Sequence, residues 1–187
     1  MTFVDGENLT LRAQKLLSTE SVALSEGSYW NKDRFIWRPG SRGTHVISAG
    51  SNQLEFGPVR CYYYTSVTGD EEVLNQVRSS LWNLGFTPRV FKKPKQNDKV
   101  KGVDISLTKD MLSHAFNNHY DVAILIAGDG DYVPLVEEVK HLGKRVSVIF
   151  FSEAAGLSPA LRLAADDFFD WTNAFVGAWK DPGVGKT

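Results

Sequence analysis

Cysteine is almost missing, with Cys61 the single example in 187 residues. That excludes an intrachain disulfide framework and any zinc site built on cysteine pairs. Long hydrophobic runs are missing as well. Stretches such as Val122 to Ala127 extend about six residues, against the roughly twenty needed to span a bilayer. The opening Met1-Thr2-Phe3-Val4-Asp5 carries no basic segment and no apolar signal core, so a cytoplasmic protein without a membrane partner is expected. An excess of either charge is missing too, since the formal net charge is −1. Near neutrality with 12% aromatic residues is the opposite of a disordered composition. The length suits one domain that buries about 70% of its unfolded surface.

The near-zero charge is a cancellation. Residues 86–101 carry Arg89, Lys92, Lys93, Lys95, Lys99 and Lys101 against Asp98 alone, while residues 102–187 carry 7 basic and 12 acidic side chains. A basic strip therefore precedes an acidic half. By itself such a strip is as consistent with a solvated loop as with a phosphate-binding rim.

Strands and helices alternate along most of the chain. Phe3-Val4 reads as a short buried strand and Leu9–Leu17 as a helix. Val59–Thr65 reads as a strand, and Val73, Leu74, Val77, Leu81 and Leu84 recur at helical spacing up to Gly85. Phe86–Phe91 is a further strand. Ile105, Leu112, Ala115 and Phe116 then share one face of a helix over about 103–117. Val122–Ala127 is a continuous apolar run, as expected of a strand covered on both faces. A helix from Tyr132 to Leu142, a strand from Arg145 to Phe151, a short helix at Pro159–Ala164 and a last strand at Phe168–Trp171 complete the series. This order predicts an α/β fold with an open, mainly parallel sheet and helices on both faces. Such sheets bind ligands at the carboxyl ends of their strands, where the strand order reverses.

Residues 20–57 interrupt the rhythm and are too long for an ordinary connection. Asp33–Pro39 and Thr44–Ser48 flank the turn-like Pro39-Gly40-Ser41-Arg42-Gly43, which predicts an inserted β-hairpin arm. Trp30, Phe35 and Trp37 are interleaved there with Lys32, Arg34, Arg38 and Arg42. Aromatic and guanidinium groups suit unstacked bases and phosphates, so Arg34, Trp37, Arg38 and Arg42 are candidate nucleic-acid contacts. The alternative is that these aromatics pack the arm onto its own domain, or onto a second subunit in a homodimer.

Carboxylates fall where strands end. Asp5 closes the first strand, Asp129 and Asp131 close the run Val122–Ala127, and Asp104 opens the helix after the basic strip. If the first and fourth strands of the main series are neighbours, Asp5, Asp129 and Asp131 converge on one crevice. Crowded carboxylates raise one another's pKa, and a divalent cation relieves this. Oxygen-only ligands suit Mg²⁺ or Mn²⁺ better than Zn²⁺. Duller roles exist for each residue: Asp131 capping a helix that begins at Tyr132, Asn8 capping one that begins at Leu9, Asp104 complementing a helix dipole. Glycine beside each strand-end aspartate (Gly6, Gly128, Gly130) is expected to let a ligand or backbone approach closely.

Taken together, Val4-Asp5-Gly6-Glu7-Asn8, Lys101-Gly102-Val103-Asp104, Ile126-Ala127-Gly128-Asp129-Gly130-Asp131-Tyr132, Leu142-Gly143-Lys144-Arg145-Val146 and Ala165-Asp166 resemble the NYN domain in its LabA-like branch, a member of the PIN-like nucleases. The resemblance covers residues 1–17 and 58–173 in order. It implies a PIN-like three-layer α/β/α sandwich; with 20–57 read from the residues as an inserted arm, the domain is expected over residues 1–175 and a C-terminal tail over 176–187. It also implies a metal-dependent ribonuclease centre, in which Asp5, Asp104, Asp129 and Asp131 hold the metal and Asn8 orients Asp5 or the substrate. Asp110 and Asp166 match further acidic positions. Two departures stand out: Ala127 replaces the usual Ser or Thr, and the arm has no counterpart. On this reading Lys92, Lys93, Lys95, Lys99 and Lys101 form the rim of the crevice and hold RNA phosphates.

The tail Gly183-Val184-Gly185-Lys186-Thr187 is not a P-loop, because Lys180 stands where the motif needs glycine. His45, His114, His119 and His141 are not read as metal ligands. Two functions of different class follow: a metal-dependent endoribonuclease acting on single-stranded RNA, or an RNA-binding regulatory module that keeps the site with little or no turnover.

Overall fold

Thr2–Asp5 forms a first strand, β1, that is buried along its whole length, which is what a strand at the centre of a two-sided sheet requires. The computed structural model describes residues 1–19, 30–31, 34–37, 60–94, 102–152 and 156–179. Within them the chain continues through α1 (Gly6–Thr19), β2 (Trp30–Asn31), β3 (Phe35–Ile36), β4 (Cys61–Val67), α2 (Glu71–Asn83), β5 (Thr87–Lys92), α3 (Gly102–Phe116) and β6 (Val122–Ile126). A 3₁₀ turn (Gly130–Tyr132) leads into α4 (Val133–His141), β7 (Arg145–Phe150), α5 (Pro159–Ala164), β8 (Asp167–Asp170) and α6 (Thr172–Trp179).

Six strands form one sheet in the order β5-β4-β1-β6-β7-β8, and every neighbouring pair is parallel. Thr2 lies opposite Cys61 on one side and Ile124 on the other. One face is covered by α1, α2 and β3 through Leu9, Ala13, Leu74, Leu81, Ile36 and Trp37. The other is covered by α3 and α4 through Val103, Leu107, Met111, Leu135, Val136 and Val139. The architecture is the expected three-layer α/β/α sandwich.

Several expectations are corrected in detail. The first helix begins at Gly6 rather than Leu9, because Asp5 itself caps it: the Asn8 amide donates to Asp5 Oδ1 at 3.0 Å. Asp129 caps the 3₁₀ turn by accepting from the Asp131 amide, so Asp131 is not the cap. On α3 the core face is Val103, Leu107, Met111 and Ala115, whereas Ile105 and Phe116 are 64% and 76% exposed. Apolar residues surround much of this helix, so periodicity offers two faces, and only contact with the sheet chooses between them. The helix α6 crosses the expected boundary between domain and tail at 175/176. Residues 180–187 lie outside the described residues.

Of the expected hairpin arm, β3 falls within the first expected strand, but its antiparallel partner is β2 (Trp30–Asn31), which lies before that strand and outside the expected pairing. The second expected strand at Thr44–Ser48 lies outside the described residues. Trp37 has no exposed surface. Its ring meets Phe86 at 4.6 Å, Trp171 at 5.4 Å and Tyr63 at 6.4 Å between centroids. This overturns Trp37 as a base-stacking residue, since a ring enclosed by three others has no face to offer. The described part of the arm packs on its own domain: the Tyr63 hydroxyl donates to the Ile36 carbonyl, and Thr65 Oγ1 donates to the Arg34 carbonyl.

The glycines beside the aspartates serve packing. A Cβ at Gly6 would lie 2.7 Å from the Tyr64 carbonyl oxygen and would overlap the Tyr63 ring. One at Gly128 would collide with the Gly156 carbonyl and the Phe150 ring. These close approaches are by the protein's own backbone and aromatic rings. Gly128→Ala is therefore expected to cost about 1–3 kcal/mol, read as a lower urea midpoint with unchanged m-value.

Candidate active site

From β1 the chain runs to β4 on one side, and from β6 to β7 on the other. The strand order thus reverses between β1 and β6, and the carboxyl ends of these two strands flank a crevice. Asp5 is the last residue of β1, and Asp129 and Asp131 follow β6. Asp104 reaches the crevice from the first turn of α3. Asn8 joins the two strand ends, donating its amide to Asp5 and accepting the Gly128 amide on Oδ1 at 3.1 Å.

Asp5 is 4% exposed. Burial pushes its carboxyl up to about 7, with the neighbouring charges of Asp104 and Glu7 adding to the rise and the hydrogen bonds from Asn8 and Tyr132 opposing it. Asp104 is raised as well, first by desolvation and then by Asp129, Glu7 and Asp131, against the Tyr132 hydrogen bond. Glu7, Asp129 and Asp131 thus act electrostatically on the Asp5 and Asp104 side of the crevice. The Tyr132 hydroxyl lies 3.0 Å from Asp5 Oδ2 and 3.1 Å from Asp104 Oδ1. Burial and these two carboxyls push its phenol far above its ordinary value, so it remains a hydroxyl.

The donors fit a hard divalent cation in kind, being carboxylate oxygens with a shared electrostatic strain. The expected set of Asp5, Asp104, Asp129 and Asp131 is not a ready-made cage. Among the described residues, no three acidic, imidazole or thiol groups are gathered closely enough to hold one ion. Like charges repel at short range, and three of the four carboxylates meet local donors: Asp5 and Asp104 meet on Tyr132, while Asp129 turns to the Asp131 amide.

The NYN domain model matches residues 1–172. The chain belongs to the NYN domain family. NYN domains are PIN-like and nuclease-like. Among curated proteins, this NYN domain is 24% identical over 176 residues to low amplitude and bright protein LabA of Synechococcus elongatus, covering 90% of this chain and 81% of LabA. It is 28% identical over 113 residues to an uncharacterised protein of Methanocaldococcus jannaschii, covering 60% of this chain and 40% of that protein. A crystal structure of a protein of unknown function from Vibrio parahaemolyticus shares the fold, with a TM-score of 0.57, 22% identity and 90% coverage of both chains.

The basic strip of this NYN domain is only partly described. Lys92 is exposed at the end of β5. Lys93 pairs with Glu7 Oε1 at 2.6 Å, and Ser66 Oγ donates to Glu7 Oε2 at 2.7 Å. This link draws the start of the strip to the acidic crevice. Arg89 is committed elsewhere: its Nε reaches Asp110 Oδ2 at 3.2 Å, and its guanidinium lies over the Tyr62 ring. Lys95, Lys99, Lys101, Arg38 and Arg42 lie outside the described residues.

Asp110 also accepts from the Tyr64 hydroxyl at 3.1 Å, which assigns it to a Tyr64–Arg89 clamp. Asp166 accepts the Val146 amide and pairs with Lys140, fastening α5 and β8 to β7. Ala127 is fully buried in the core beneath α3 and α4. Sequence reasoning missed the hydroxyl of Tyr132, which reads as one more apolar position of a helix. It also missed Glu7, whose only signal is its place two residues after Asp5. No helix among the described residues is long and apolar enough to cross a membrane.

Proposed function

We propose that this NYN domain is a metal-dependent endoribonuclease that hydrolyses phosphodiester bonds of single-stranded RNA. The observation that supports the reading is the position of Asp5, Asp129 and Asp131 at the carboxyl ends of β1 and β6, where the strand order reverses, together with Asp5 and Asp104 carboxyls raised by burial and by neighbouring carboxylates. Those four residues would hold Mg²⁺ or Mn²⁺. When bound, the cation supplies Lewis-acid activation of a water and neutralises charge at the phosphodiester. Asn8 orients Asp5 by its backbone amide and braces Gly128 by its side chain. Lys92, Lys93, Lys95, Lys99 and Lys101, with Arg34, Arg38 and Arg42 of the arm, would hold backbone phosphates and so make binding salt-dependent.

A second reading, an RNA-binding module with little turnover, is favoured by Ala127, whose buried methyl replaces a hydroxyl next to the crevice, and by carboxylates that are not gathered into a cage. One assay separates the two. The nuclease reading expects Mn²⁺- or Mg²⁺-dependent cleavage of single-stranded RNA, lost in chelator and lowered roughly 10²–10³-fold by Asp129→Asn. Salt-sensitive binding that survives Asp129→Asn, with no cleavage under either ion, supports the second reading and overturns the first.

A further inference from the structure

The Tyr132 hydroxyl is not among the groups assigned a role above, yet it lies within hydrogen-bond distance of two of the four carboxylates. The residue is 3% exposed and follows Asp131 on the 3₁₀ turn. Ring packing alone would be served by phenylalanine. A buried phenolic hydroxyl needs a partner, and this one reaches carboxylates 127 and 28 residues away in sequence, one at a strand end and one at a helix start.

A carboxylate offers about four lone-pair sites. The Tyr132 hydroxyl faces Oδ2 of Asp5 and Oδ1 of Asp104, and the Asn8 amide occupies a site on Oδ1 of Asp5. Asp5 is thereby held from two sides, and Asp104 is tied to it across the crevice. We propose that Tyr132 is a positioning residue whose hydroxyl sets the Asp5 and Asp104 carboxylates for a divalent cation. The inference rests on the metal-dependent reading above. A group that hydrogen-bonds a ligating side chain fixes its orientation, and removing such a group lowers metal affinity about 10–100-fold. A ring that only fills the core would leave affinity unchanged when its hydroxyl is removed.

The test is a Mn²⁺ titration of the purified full chain, with free Mn²⁺ read by electron paramagnetic resonance and folding checked by circular dichroism. Tyr132→Phe is expected to bind Mn²⁺ about 10–100-fold more weakly than wild type. The loss should shrink at least about threefold when both proteins carry Asp104→Asn, because part of the hydroxyl's effect runs through that carboxylate. Affinity that stays within about twofold, or tightens, overturns the positioning role while leaving the metal reading intact. If wild type itself binds no Mn²⁺, both fall. Where Tyr132→Phe unfolds the protein, Tyr132→para-fluorophenylalanine fills the same space without a proton to donate, and the same affinities decide.

Discussion

Asp5→Asn is expected to make the protein more stable at pH 8 while abolishing cleavage. The Asp5 carboxyl stands at about 7 in the folded protein against an ordinary 3.8. Between those values the folded state holds a proton that the unfolded chain has lost, so stability falls as pH rises from about 4 to about 7 and is level beyond. At ~1.4 kcal/mol per pH unit, the cost of keeping this group buried and charged is on the order of 4 kcal/mol as an upper bound. Asparagine keeps the shape and an oxygen for the Asn8 amide, and it carries no charge to desolvate. In chelator at pH 8 the variant should melt several degrees higher, at roughly 2–4 °C per kcal/mol for a chain of this size. At pH 4 the two melting temperatures should coincide. A variant that melts at or below wild type at pH 8 would show that Asp5 is not an electrostatic burden. Loss of cleavage alongside the gain is the sign of a residue kept for chemistry at the expense of stability.

Trp37→Ala is expected to cost about 3–5 kcal/mol, the usual loss when a buried aromatic is truncated. Chemical denaturation reads this directly. RNA affinity of the folded variant, measured at low temperature, should stay within about twofold of wild type, because the indole is enclosed by Phe86, Trp171 and Tyr63. A tenfold loss of RNA affinity with unchanged stability would restore Trp37 to the nucleic-acid surface.

Trp37 also shows what a sequence leaves open. Aromatic residues between arginines are compatible with a stacking surface and with a packed arm, and local pattern does not distinguish them. What decides is the position of Phe86 and Trp171, 49 and 134 residues further along. The central strands were legible for two reasons: β6 is apolar throughout, as a strand covered on both faces requires, and β4 is rich in aromatic and β-branched residues. Asp5, Asp104, Asp129 and Asp131 were legible as a group because they lie at element ends, where side chains of a parallel sheet meet. Tyr132 was not, since its ring obeys the helical pattern and only tertiary placement reveals what its oxygen touches. On α3, apolar residues on two sides of the helix hid which side faces the sheet, and Ile105 and Phe116 were assigned to the wrong one.

The placement of β1 has a consequence for the order in which the protein comes into being. This strand leaves the ribosome before either strand it pairs with: β4 follows some 59 residues later and β6 some 122 residues later. Contacts of that span are slow to form, because loop closure precedes any gain from pairing. Asp5 emerges closely followed by Asn8, whose amide it caps, but its hydroxyl partner on Tyr132 is synthesised 127 residues later. A nascent chain therefore carries the first carboxylate through 127 further residues before the crevice can close around it. A chain that stops before Asp129 lacks two of the four carboxylates and the Tyr132 hydroxyl.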